Sequence, residues 1–181
     1  METNNPWRMH RAYRNLLGLN SSAVPPPIEV SLQQISLSPN VRSHLFQLLE
    51  LKGEMQTGIV FGHREHDYLH LLHFAYGSAR GQSDVQPPPF RWQTSYLRGC
   101  VDTLLASQTG EIDWYGVWMI APNSEQFSSN QILEYAQIAH ARGLVDDQQV
   151  LISVGWSNGI LDLQAFKFLD ADTPVGLLIH L

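Results

Sequence analysis

Four histidines crowd one short stretch, "HREHDYLHLLH": His63, His66, His70 and His73. On a helix their 3-4-3 spacing brings all four to one face, an arrangement that binds metal. Gly62 and the leucine- and aromatic-rich run favour instead a turn entering a strand. On a strand His66 and His70 share a face and His73 takes the other. Two same-face residues four apart are then separated by about 13 Å, too far for one zinc ion. The expectation is hairpin histidines that hydrogen-bond or face solvent. Nucleophilic chemistry has less to work with. Cys100 falls on the apolar side of a helical pattern, where a thiol packs rather than reacts. Ser157 in "GWSNG" is no nucleophile elbow, because a hairpin and not a helix follows it. No Gly-rich phosphate loop is present.

A second stretch has the form of a site without its chemistry. "WYGVWMIAPNSEQFSSNQI", Trp114 to Ile132, reads as an apolar strand, Ala-Pro, a polar loop and a serine-capped helix. A strand end and the next helix start can face one small volume. Yet Met119, Ala121 and Ile132 offer no ordinary donors to a hard metal. Capping the helix is the role that suits Ser129 best.

The elements that would position these residues follow from patterning. "IEVSLQQISLS" is a strand candidate. Ser38 and Pro39 then open a helix as N-cap and first residue. Val41, Leu45, Leu48 and Leu49 form its buried stripe and Gly53 can end it. "TGIVFG" reads as a buried strand and "DYLHLLHFAY" as its hairpin partner. A long Pro/Gly-rich loop, "GSARGQSDVQPPPF", precedes the helix "TSYLRGCVDTLLAS", with Leu97, Cys100, Val101, Leu104 and Leu105 inward. The strand "IDWYGVWMIA" leads to the helix "SNQILEYAQIAHARG", with Ile132, Tyr135, Ala136 and Ala139 on one face and Gly143 as terminator. "QQVLISVGWSNGILDLQAFKFLD" is a hairpin turned by Ser157-Asn158-Gly159. "TPVGLLIHL" is a short apolar strand or a tucked tail. Interleaved strands and helices predict an α/β or α+β domain.

The 181 residues suit one domain with an appendage. Residues 1–27 read as an N-terminal arm: a short amphipathic helix over 7–19, then Pro25, Pro26 and Pro27 as a semi-rigid spacer. The domain proper is 28–181. Arg8, Arg11 and Arg14 against Glu2 leave the arm at +2, so 28–181 carry −8 of the net −6. An acidic body is a poor nucleic-acid binder. Within the arm, Arg8, Arg11, Tyr13, Arg14 and Leu17 are the candidate partner contacts, and the loop 77–90 is a second. A single cysteine excludes an intrachain disulfide. No run of about 18–20 apolar residues spans a membrane and the N-terminus lacks signal-peptide features, so the expected location is the cytoplasm.

The element order, with two short motifs, resembles the JAB/MPN (Mov34, JAMM) domain over roughly residues 28–170. Gly58-Ile59-Val60-Phe61-Gly62 is similar to that family's Gly-x-x-x-Gly strand. Pro122 and Ser129 match the proline and serine of its His-x-His-Pro…Ser…Asp motif. The resemblance implies a JAB/MPN-like, cytidine-deaminase-like mixed sheet flanked by helices. It also implies which chemistry is gone. Met119 and Ala121 stand at the histidine positions, Ile132 at the aspartate position and Met55 at the general-base glutamate, with Glu54 one residue off and on the opposite strand face. Zinc needs nitrogen, sulfur or carboxylate donors and an open position for water. The implied protein is a pseudoenzyme of the JAMM metalloprotease family, with no metal and no cofactor. It would bind a protein partner or act as a scaffold in a ubiquitin-like conjugation or deconjugation system. The partner could be an active JAMM protease, a ubiquitin-like protein, a conjugation enzyme or a further copy in an oligomer. The alternative is a hydrolase with a relocated site using Glu54 or the His63–His73 cluster.

Overall fold

The computed structural model describes residues 30–51, 53–77, 89–90, 92–107, 112–169 and 173–180. The elements run β1 (Gln34–Leu37), α1 (Pro39–Leu49), β2 (Gln56–Glu65), β3 (Tyr68–Tyr76), α2 (Thr94–Ser107), β4 (Asp113–Glu125), α3 (Ser129–Ala141), β5 (Val150–Ser157), β6 (Ile160–Phe168) and β7 (Pro174–His180). The strands form a closed barrel in the order β1-β3-β2-β4-β5-β6-β7. β1 closes it by pairing in parallel with both β3 and β7, with Ile35 opposite Leu69 on one side and Ile179 on the other. The expected JAB/MPN-type mixed sheet flanked by helices is therefore corrected to a closed mixed barrel. The tail 174–180, read as a strand or a tuck, is the strand that makes the closure.

The central strands β2, β4 and β5 are apolar on both faces because both are covered, whereas β6 and β7 leave outward residues such as Ile160 and Leu178 exposed. One face of all seven joins α1 in a single cluster, including Ile35, Leu71, Trp118, Ile152 and Ala165. The stripe expected for α1 is the one buried: Val41, Leu45, Leu48 and Leu49. Ser38 caps the helix by accepting from Val41 N, and Pro39 opens it. The opposite face of the sheet carries α2 and α3 over Ile59, Phe61, Val117, Met119 and Leu151.

Two irregularities set which face each β4 and β3 side chain takes. Tyr115 is an extra residue opposite the Val60–Phe61 step, beside Gly116 at φ +141. The resulting bulge sends Trp114 outward and Tyr115 and Trp118 inward. In β3 the extra residue is Leu72, opposite the Phe61–Gly62 step. Gly58 makes room for an interior contact. Trp118 Nε1 donates to Ala75 O at 2.9 Å, and a Cβ on Gly58 would lie 1.9 Å from that oxygen and 2.5 Å from Trp118 Nε1.

Residues 30–34 run to β1 over two nearly buried cations. Arg64 donates to His66 O and Val30 O, and Lys167 to Ser31 Oγ and Leu32 O. Burial, followed by the charge of Arg64, lowers the Lys167 pKa from its ordinary value, with Asp147 opposing.

Candidate functional sites

Met119, Ala121 and Ile132 all belong to the large outer apolar cluster between the sheet and helices α2 and α3. Met119 and Ala121 point outward from β4, Ile132 points inward from α3, and half-buried Met55 packs against the cluster. Met119 has no exposed surface and lies between Thr57 and Ser153 in the ladder. The assembled groups are two thioethers, a methyl and a branched alkyl. They supply apolar packing and no zinc ligand set. Glu54 is exposed just ahead of β2.

Ser129 has a different place from the one expected. It is the exposed first residue of α3, and Ser128 is the cap. Ser128 Oγ accepts from Gln131 N, and the Gln131 side chain accepts from Ser128 N at 3.0 Å, a reciprocal capping box. The strand also runs past Pro122 to Glu125. Pro122 O accepts from Gly53 N, and buried Ser124, at φ 59, donates its hydroxyl to Leu49 O at the end of α1. The Pro122–Ser124 segment of β4 thus satisfies polar groups at the end of α1 and in the turn that follows it.

Beside Met119 lies a polar group that patterning missed. Ser153 is fully buried and its Oγ donates to Gln126 Oε1 at 2.5 Å. Gln126 Oε1 also accepts from Phe127 N, and its Nε2 donates to Asp162 O at 3.3 Å. The one signal for it was a serine inside the apolar run "LISVGW". With its proton held by an amide oxygen, this hydroxyl positions the loop.

The histidines separate. His66 sits in the β2–β3 turn at φ 55. His63 pairs with His70 across the ladder, and the Leu72 bulge returns His73 to their face, opposite Phe61. The expected pairing of His66 with His70 is therefore replaced by His70 with His73. His70 Nδ1 lies 2.9 Å from Ser36 Oγ, and His63 Nε2 is 3.5 Å from Glu65 Oε1. Tyr68 lies against the rings of His70 and His180. Burial lowers the pKa of His73. Among the described residues no group of three or more His, Cys, Asp or Glu is placed to hold a metal ion.

A concave pocket of about 190 Å³ opens where the start of α2, the start of β4 and the end of α3 converge. Phe90, Trp92, Trp114, Leu97 and Leu144 wall it and Arg142 stands at its edge. Both indoles are pinned. Trp92 Nε1 donates to Thr57 Oγ1 at 2.9 Å, and Trp114 Nε1 to Gly116 O at 2.5 Å. Trp92 lies so close over Gly77 that a Cβ there would be 2.0 Å from the indole. Phe90 is buried at φ 61, a conformation that costs a bulky side chain energy, and meets Trp92 edge-on at 6.0 Å. The loop that leads here is legible in the sequence but the pocket is not, because its walls come from three separated segments, 90–97, 114 and 142–144.

The arm contacts Arg8, Arg11, Tyr13, Arg14 and Leu17 lie outside the described residues, as does most of the loop 77–90. Among the described residues no helix is long and apolar enough to cross a membrane. No protein-family model matches the chain, and no curated protein matches it. Among solved structures, the solution structure of protein DSY2949 from Desulfitobacterium hafniense is similar in fold. Its TM-score is 0.52 at 12% identity, over 81% of this chain and 91% of that one.

Proposed function

We propose that this barrel is a non-catalytic binding module, a protein-binding or scaffold subunit. The observation that supports the reading is the burial of Met119, Ala121 and Ile132 within one outer apolar cluster, with Met55 packed against that cluster. Apolar groups at these positions need neither pairing nor hydration when buried, so the cluster stabilises the helix–sheet layer instead of holding a reactive water. Each fully buried aliphatic or thioether side chain contributes about 1.5–3 kcal/mol. A ubiquitin-like protein, or an enzyme that conjugates or removes one, is the partner class we infer from the Gly58–Gly62 and Pro122–Ser129 motifs alone.

The test uses the full chain purified without an affinity tag. Metal analysis is expected to find no stoichiometric zinc, and isopeptide-linked ubiquitin dimers are expected to stay intact on incubation. Chelator-sensitive cleavage would overturn the non-catalytic reading. The partner class is tested by titrating isotope-labelled chain with ubiquitin. Saturable, localised amide shifts support it, and an unchanged spectrum at millimolar ubiquitin rejects ubiquitin itself as the partner.

A further inference from the structure

We propose that the pocket beside Arg142 is a binding site for a small apolar or aromatic group that carries a carboxylate. The pocket walls Phe90, Leu97, Trp114 and Leu144 belong to the same outer apolar cluster as Met119, and the test reads ligand binding at Trp92, Trp114 and Arg142, whose outcome is independent of metal content and isopeptide cleavage.

The walls are preorganised. Hydrogen bonds hold both indoles, and Gly77 allows Trp92 its close approach. A pocket whose rings are already fixed loses little conformational entropy when it is filled. The left-handed backbone at Phe90 is maintained although it is unfavourable for phenylalanine, and such strain concentrates at ligand-binding positions. Its effect here is to hold the Phe90 ring on the pocket wall.

Size and charge narrow the ligand. About 190 Å³ is below the roughly 300–1,000 Å³ of pockets for drug-sized molecules. It suits one ring or one branched side chain. Arg142 Nη1 donates to Pro89 O at 2.9 Å, which tethers the guanidinium at the edge of the pocket. Among the described residues no carboxylate pairs with it. Its remaining donors form the planar fork that matches a carboxylate in two-point contact. Aromatic and aliphatic walls, with Thr94 and the Arg142 guanidinium also in the lining, select a hydrophobic acid over a free inorganic anion. The same chemistry is offered by a free aromatic acid and by the last residue of a peptide.

Fluorescence and indole NMR of the full chain, titrated with phenylacetate, N-acetylphenylalanine and phenylacetamide, decide the matter. Both acids are expected to bind saturably, shifting the Trp92 and Trp114 indole signals, with the neutral amide at least about tenfold weaker. Arg142→Gln lies on an exposed side chain and should leave the fold intact by circular dichroism, yet erase the preference for acid over amide. Tighter binding of N-acetylphenylalanine than of phenylacetate marks a chain terminus as the source, and the reverse order marks a free acid. No saturable indole shift at millimolar acid, or equal binding of acid and amide by the unmodified protein, overturns the proposal.

Discussion

At the scale of the residue, Gly58 illustrates how a motif can carry a packing role. Its hydrogen faces the barrel interior, where Trp118 crosses to Ala75 O. Gly58→Ala must push either a strand backbone or a fully buried indole. The expected loss is about 3 kcal/mol or more, read as a lowered urea midpoint at unchanged slope. A loss under about 0.5 kcal/mol would show that Trp118 moves freely. His73 gives a second residue-scale prediction, one of sign. Its folded pKa is lowered by burial, so below pH 6.5 the unfolded chain binds more protons at this site than the folded one. His73 therefore makes stability rise with pH up to about 6.5, and removes it as pH falls toward the lowered folded value. Replacing it with glutamine should flatten that part of the stability–pH curve, measured by denaturant unfolding of both proteins between pH 5 and 7.5. The chemistry-bearing positions were legible as types in the sequence. Their faces were not, because one unpaired residue at Leu72 moves every later side chain of β3 to the other side.

At the scale of the element, local signals were read well where a short motif decides the geometry. The α1 stripe and its Ser38–Pro39 start are as expected, and Asn158 and Gly159, at φ 52 and 77, turn the β5–β6 hairpin. Boundaries were less certain. Two adjacent serines stand at the start of α3, and only the position of Gln131 relative to Ser128 tells cap from first residue. The two can be separated by substitution. Ser128→Ala removes the acceptor for Gln131 N and should cost about 1 kcal/mol. Ser129→Ala, at an exposed first helical position, should cost a few tenths at most. Thermal unfolding of the two variants distinguishes them, and equal losses would contradict the capping box. Pro122 misled in the other direction. Proline suggests a strand end, yet β4 continues through it with Ser124 in the left-handed region and a register break between Ile120 and Glu125. The polar contacts of that segment reach back to Leu49 and Gly53, far away in sequence.

At the scale of the whole molecule, closure is the property that sequence patterning could not supply. Strands with both faces buried look alike in an open, helix-covered sheet and in a barrel. What separates the two is the parallel pairing of β1 with β7, three residue pairs joining the two ends of the described domain. Loop-closure entropy makes such a contact depend on everything folded between its partners. The seam should therefore be the weakest part of the barrel. Ile35 faces the interior with no exposed surface and pairs with both neighbours. Ile35→Ala is expected to cost about 2–5 kcal/mol. Because β1 is held by few residues, that loss should fall unevenly. Amide exchange should quicken in β1 and β7 together, while the β2, β3 and β4 core, joined by long antiparallel ladders, keeps its protection. Uniform loss of protection in all seven strands would mean that the barrel opens only as a single cooperative unit, and that β1 is no seam at all.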